Sequence, residues 1–183
     1  LLSIFLFSAL LVSTFVNVLE NVGVSVREGK RRYNFNHHIL ILGSGNKLQH
    51  IIDSLKNDNR DIVVMSPNPV SSNEKIIYYN GLRDSYEDLC STHADQADMI
   101  YIIGEDKEFG HDSRSLQTLD MLKDICKSAK HDIYCYLSIS EIGTQEVFQY
   151  SRQTDTSHLL LVDIINDYEY YAEQLMVGTD FLP

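Results

Sequence analysis

Residues 38–45, His-Ile-Leu-Ile-Leu-Gly-Ser-Gly, decide the fold of this 183-residue chain. The consecutive apolar side chains are typical of a strand that helices cover on both faces, as in a parallel sheet. Two glycines follow with one residue between them, which favours a tight turn into a helix. The stretch therefore predicts the first strand and the first turn of an α/β domain.

Similar apolar runs recur along the chain and alternate with helical patterns. The predicted strands cover residues 38–42, 61–65, 75–79, 99–103, 133–137 and 158–162. The predicted helices cover residues 47–56, 85–93, 113–127, 141–152 and 168–177, and the prolines near residue 68 predict a connection with little helix before the third strand. This alternation predicts a Rossmann-like, doubly wound parallel sheet over residues 37–177.

The glycine turn fills two of the three glycine positions of the dinucleotide-binding pattern. Gly43 permits the tight turn, and Gly45 would let the backbone approach a phosphate at the helix N-terminus. Leu48 stands at the third glycine position, and Ser66 stands where an acidic residue would bind a ribose. The turn alone leaves three alternatives: a turn without a ligand, a nucleotide or phosphate site, and an NAD redox site.

The N-terminal residues 1–19 carry no charged side chain. A helix of that length measures about 28 Å, close to the ~30 Å hydrocarbon thickness of a bilayer. Arg27 and the basic residues 30–32 follow, and basic residues beyond a span favour the cytoplasmic side. We expect a transmembrane-type helix at residues 1–20 and a basic connector at 21–36. A signal peptide and a buried helix of a soluble protein are the alternatives.

Composition is that of a folded domain, with 44% apolar and 22% charged residues. The formal net charge of −11 excludes general nucleic-acid binding, which needs a basic surface. The three cysteines, Cys90, Cys126 and Cys135, have no CxxC spacing and are predicted to be reduced thiols of a cytoplasmic domain, with a redox or metal role as the alternative.

Catalytic and metal-binding motifs are missing from the sequence, which contains no G-x-S-x-G, H-E-x-x-H or P-loop pattern. We predict no catalytic residue and no metal site. His37, His38 and the pair 111–112 are expected to be solvated or at strand edges, with metal ligation as the alternative. Acidic residues around Asp84 and Glu105 are expected to form a solvated rim, with Ca²⁺ binding as the alternative.

A family resemblance spans nearly the whole chain. From residue 38 onward the order of features resembles regulator-of-potassium-conductance (RCK) domains, the TrkA-N family, with closest likeness to the branch in Castor and Pollux-type ion channels and their bacterial relatives. The segments that carry it are the glycine turn 43–45, residues 81–84, Leu89, and residues 94–98, 99–103, 104–106 and 112–114. The apolar helix that ends at residues 17–20 resembles the last pore helix before such a domain.

The resemblance implies a cytoplasmic gating domain of a cation channel or transporter, with potassium the expected ion, in the plasma or inner membrane. It implies contacts with membrane lipid and with other subunits of a homo-oligomer around a pore, and residues 178–183 would begin a linker to a further part. It also implies a small nucleotide or ion ligand, NAD or another adenine nucleotide being candidates, although Leu48 and Ser66 depart from the NAD-binding members. The implied ligand-binding residues are Gly43, Ser44, Gly45, Asn46, Ser66, Gly81, Asp84 and Glu105.

The alternative function is a membrane-anchored NAD(P)-dependent oxidoreductase. Such an enzyme needs an acid/base pair beside the cofactor, and no such pair is recognisable in these residues. We therefore predict a regulatory domain without turnover.

Overall fold

Strand β1 (Ile39–Gly43) forms where the sequence predicts it, and all its residues are buried. The protein is described by a computed structural model over residues 10–17, 35–68, 75–104, 111–140 and 157–166. In those residues the other strands are β2 (Ile62–Met65), β3 (Ile76–Tyr79), β4 (Met99–Gly104), β5 (Ile133–Ile139) and β6 (Leu159–Asn166). The helical residues 10–17 (α1) are followed by α2 (Asn46–Ser54), α3 (Tyr86–Ser91), a 3₁₀ turn (Ala94–Gln96) and α4 (His111–Cys126).

The strands form a parallel sheet in the order β3-β2-β1-β4-β5-β6. From β1 the chain runs towards one edge of the sheet, and from β4 it runs towards the other. Since crossovers between parallel strands are right-handed, helices on these two paths must cover opposite faces. Leu48 of α2 packs with Ile39 and Ile41 on one face, while Leu89 of α3 and Leu119 of α4 pack with Leu40 and Leu42 on the other.

Local sequence explains how the helices on the second face form. Ser85 caps α3 by accepting a hydrogen bond from the Asp88 backbone N–H at 3.3 Å. One face of α4 is apolar and buried at Leu119, Leu122, Ile125, Cys126 and, just beyond the helix, Ala129. Leu116 packs against the same core from a partly buried position.

His38 departs from the expected solvated or strand-edge position because it is 1% exposed beneath the ring of Phe35. Neither ring nitrogen has a hydrogen-bond partner among the described residues. Burial, with a smaller contribution from His93, lowers the pKa of His38 to about 4. The nearby backbone of Thr92 acts in the opposite direction and raises this pKa by a smaller amount. His38 is therefore a neutral core residue at pH 7.

Several sequence predictions fall outside the described residues: the helices at 141–152 and 168–177, the connection 69–74, and the linker 178–183. Of the predicted N-terminal span, residues 10–17 are helical, and their apolar side chains, such as Leu10 and Phe15, are exposed. Among the residues that the structure describes, no helix combines the length and the apolar character needed to cross a bilayer.

Candidate functional site

The carboxyl ends of β1 and β4 form the point where the direction of the chain path reverses. In parallel α/β sheets a crevice opens at such a point, and ligands bind there. A one-residue bulge shifts the pairing of the two strands, so that Gly43 lies opposite Gly104 rather than Ile103. Neither glycine carries a side chain, and the crevice therefore begins without a side chain on either strand end.

The glycine turn has the backbone that its sequence predicts. Gly43 has φ 122° and Gly45 has φ 105° with ψ −163°, conformations that residues with a Cβ rarely adopt. Ser44 is partly exposed, and Asn46 begins α2. The N-cap residue, Gly45, has no side chain to cap α2, and no acidic residue lies in the first turn, so the positive end of the helix has no carboxylate of its own to compensate it.

Lys47 brings a positive charge to this turn, and sequence reasoning missed it. It is only 7% exposed, and its Nζ donates a hydrogen bond of 2.8 Å to Oγ of Ser138, which is 1% exposed. Lys47 follows β1 and Ser138 belongs to β5, so the side chain passes across the carboxyl end of the strand between them, β4. The lysine side chain therefore spans the crevice.

The serine at the end of β2 is held by its own loop. Ser66 is 1% exposed, its Oγ accepts a hydrogen bond from the Asn68 backbone N–H at 3.0 Å, and its carbonyl accepts one from the hydroxyl of Tyr78 at 3.1 Å. Its backbone N–H donates to the carbonyl of Tyr79, which ties the ends of β2 and β3 together. The hydroxyl keeps a proton that it can donate, but its burial leaves a ribose little access to it.

Gly81 and Asp84 follow β3, at the carboxyl ends of the strands. A Cβ on Gly81 would stand 2.7 Å from Cε1 of Tyr79, so glycine is needed here for the tyrosine ring. The carboxylate of Asp84 lies 3.9 Å from Nε of Arg114, with 29% of its side chain exposed. The neighbouring Arg83 is buried and donates to Oγ of Ser115 on α4 at 3.0 Å.

The remaining predicted residues are described only in part. Glu105 lies outside the described residues, and for Asn46 and His111 only the backbone is described. Asp112, expected in a solvated pair, is instead 9% exposed, and its Oδ1 accepts a hydrogen bond from the Ser140 backbone N–H at 2.8 Å. It therefore fixes the chain that leaves β5 beside the crevice.

Searches against protein families and curated proteins found no match to this chain. Solved structures do resemble it. The GsuK protein bound to ADP is 15% identical with a TM-score of 0.58, over 85% of this chain and 39% of that one. The Kef CTD of Shewanella denitrificans in its AMP-bound form is 17% identical with a TM-score of 0.50, over 78% of this chain and 82% of that one.

The human SLO3 gating ring is similar as well, at 13% identity and a TM-score of 0.51, over 70% of this chain and 24% of that one. The chain spans only 20% of the GsuK channel chain. At these identities the likeness establishes the fold: a Rossmann-like domain of the kind found in the GsuK RCK domain. The expected fold is thereby confirmed, whereas the closeness to Castor and Pollux-type channels and the pore helix remain predictions.

Proposed function

We propose that this chain is the cytoplasmic regulatory domain of a potassium channel or transporter and that it senses an adenine nucleotide. The observation that carries the proposal is the set of groups at the carboxyl ends of β1 and β4. There the N-terminus of α2, the glycine turn and the ammonium of Lys47 meet. Together they provide the positive potential and the close backbone approach that a phosphate group requires.

The ligands of the similar structures support a nucleotide as the ligand. ADP is bound to GsuK, NAD to the GsuK channel and AMP to the Kef CTD. The largest group that these ligands share is adenosine monophosphate. In this chain the Ser66 hydroxyl is buried, and no carboxylate stands at that strand end. This favours recognition through phosphate rather than through a dinucleotide's ribose.

A bound nucleotide regulates only if it favours one of two conformations. The groups around the crevice belong to separate elements: Lys47 to α2, Ser138 to β5 and Asp112 to α4. A phosphate that attracts Lys47 would weaken its contact with Ser138 and change how α2 is held against β5. Assembly with further copies of the chain around a pore belongs to the same proposal.

A ligand screen on the full chain tests the proposal. Thermal unfolding is followed with NAD, NADH, ATP, ADP, AMP or Ca²⁺, and a ligand at 100 times its Kd should add about 2.7 kcal/mol to the free energy of unfolding. Gly45→Val is the non-binding comparison, since a side chain there blocks the approach of a phosphate. Valine also strains a turn whose φ is 105°, so the unfolding curve of the variant without ligand must first show that it folds. No stabilisation by any nucleotide would refute the sensing role, and hydride transfer from NADH to a dye would favour an oxidoreductase.

A further inference from the structure

A second cluster of chemically active side chains lies at the amino ends of the strands, opposite the glycine turn. His37 precedes β1, Asp98 precedes β4 and His131 precedes β5. These strands are neighbours in the sheet, so their first residues come together although they are far apart in sequence. The cluster shares no residue with the glycine turn.

The ligand atoms of the three side chains are already close. Nδ1 of His37 lies 2.9 Å from Oδ1 of Asp98, and Nε2 of His131 lies 3.5 Å from the same oxygen. All three atoms lie within 4.8 Å of one another. In a tetrahedral zinc site with bonds of 2.0–2.1 Å, ligand atoms stand about 3.3 Å apart. Small side-chain rotations would therefore bring these atoms to the distances that zinc requires.

Backbone hydrogen bonds hold two of the three positions, His37 and Asp98. His37 has a left-handed φ of 53°, and its N–H donates to the carbonyl of Gln96. The Asp98 N–H donates to the carbonyl of His38, and the Asp98 carbonyl accepts from the Tyr134 N–H. The non-glycine φ at His37 carries a conformational cost, and it places the imidazole over the start of β4.

The other carboxylate oxygen of Asp98, Oδ2, contacts the guanidinium of Arg60. Nη1 of Arg60 lies 3.3 Å from Oδ2, while Nη2 of the same guanidinium lies 2.6 Å from Oδ2 of Asp58. Asp58 thus balances the charge of Arg60, and the contact leaves Oδ1 of Asp98 directed at the imidazoles. Outer contacts of this kind orient the ligands of metal sites.

The cluster opens on a surface hollow of about 410 Å³, bordered by His37 and His131 together with Asp95, Gln96 and Lys130. The hollow has room for water as a fourth ligand. Two imidazoles and one carboxylate suit zinc and other first-row transition metals better than Ca²⁺ or Mg²⁺, which prefer oxygen ligands.

We propose that His37, Asp98 and His131 form a zinc-binding site. Metal binding needs Nδ1 of His37 and Nε2 of His131 without protons. Zinc therefore takes the place of the proton between His37 and Asp98. It also displaces the hydrogen bond of 3.0 Å between His131 and the Ala97 carbonyl. Zinc would then fasten the chain entering β1 to the starts of β4 and β5.

Titration calorimetry of the chelator-treated full chain with ZnCl₂ tests this inference, with Co²⁺ absorption as a spectroscopic measure of tetrahedral coordination. We expect one strong site, and a loss of affinity of at least about 10-fold in His37→Gln and in His131→Gln. His158→Gln is the matched control, since His158 precedes β6 and pairs with Asp132 outside the cluster. It should bind zinc as the native chain does.

The histidine variants leave the buried core unchanged, so circular dichroism should show native folding in each. Absence of zinc binding to the native chain would overturn the inference. Equal affinity in the native chain, His37→Gln and His131→Gln would also overturn it. We expect both variants to bind nucleotide as the native chain does, since the two sites lie at opposite ends of the strands.

Discussion

Replacing Lys47 by methionine is the sharpest test of the crevice. The change removes the ammonium and keeps an unbranched apolar stem of similar reach. Lys47 is 7% exposed and its Nζ lies 2.8 Å from Ser138 Oγ, so the charge acts in surroundings that are largely shielded from water. A hydrogen bond to a charged group in such a place contributes about 1.5–3 kcal/mol. Lys47→Met should therefore weaken nucleotide binding by about 10- to 150-fold.

Calorimetric titration of the full chain with ADP and AMP at constant ionic strength measures this loss. Ser138→Ala is the control, because it removes the acceptor and leaves the ammonium in place. It should bind nucleotide at least as tightly as the native chain. Lys47→Met also takes a donor from the buried Ser138 hydroxyl, and we expect it to lower the free energy of unfolding by about 1–3 kcal/mol.

Measuring both the free energy of unfolding and the nucleotide affinity separates the structural role of Lys47 from its role in binding. If Lys47→Met is destabilised but binds ADP with native affinity, the lysine only holds α2 against β5 and the reasoning is refuted. If both affinity and stability fall while Ser138→Ala keeps its affinity, the ammonium contacts phosphate.

Other predictions concern the core and the thiols. Leu40→Ala should lower the free energy of unfolding by about 2–5 kcal/mol in urea titrations, since Leu40 is fully buried, whereas Leu160→Ala, at 42% exposure, should change it by less than about 1 kcal/mol. The pKa of His38 is lower in the folded chain, about 4, than the unfolded value of 6.5, so the unfolded chain takes up the proton first. Stability is therefore lost as the pH falls through this window, by about 2 kcal/mol between pH 7 and 5 with chelator present, and His38→Leu should abolish that loss. A thiol reagent should label one cysteine of the folded chain, Cys90, because burial shields the other two and raises the pKa of Cys126 to about 12, while all three should react in denaturant.

Strand positions could be predicted because buried parallel strands need continuous apolar runs. The sheet confirms all six predicted strands among the described residues, with bounds shifted by up to a few positions. The largest error is β6, expected to end at residue 162 and observed to continue to Asn166. Asp163 interrupts the apolar run there, but it is exposed on an edge strand, where a charged side chain costs little.

The glycine turn could be predicted from local sequence because its backbone conformation requires glycine. Lys47 could not, since a lysine in a helix is usually solvated and its partner Ser138 lies 91 positions away. The cluster of His37, Asp98 and His131 could not be predicted for the same reason, because its contacts join segments with no shared motif. Such pairs follow from the order of strands in the sheet, which periodicity does not determine.

The central position of β1 also constrains how the chain is made. During synthesis β1 leaves the ribosome before the other strands that the structure describes, but one of its two neighbours, β4, begins only at Met99. Until β4 arrives, β1 is an uncharged edge whose backbone groups can pair with other nascent chains. A chain that stops before residue 99 should therefore aggregate, and chaperone binding should be greatest while residues 39–98 are outside the ribosome without β4.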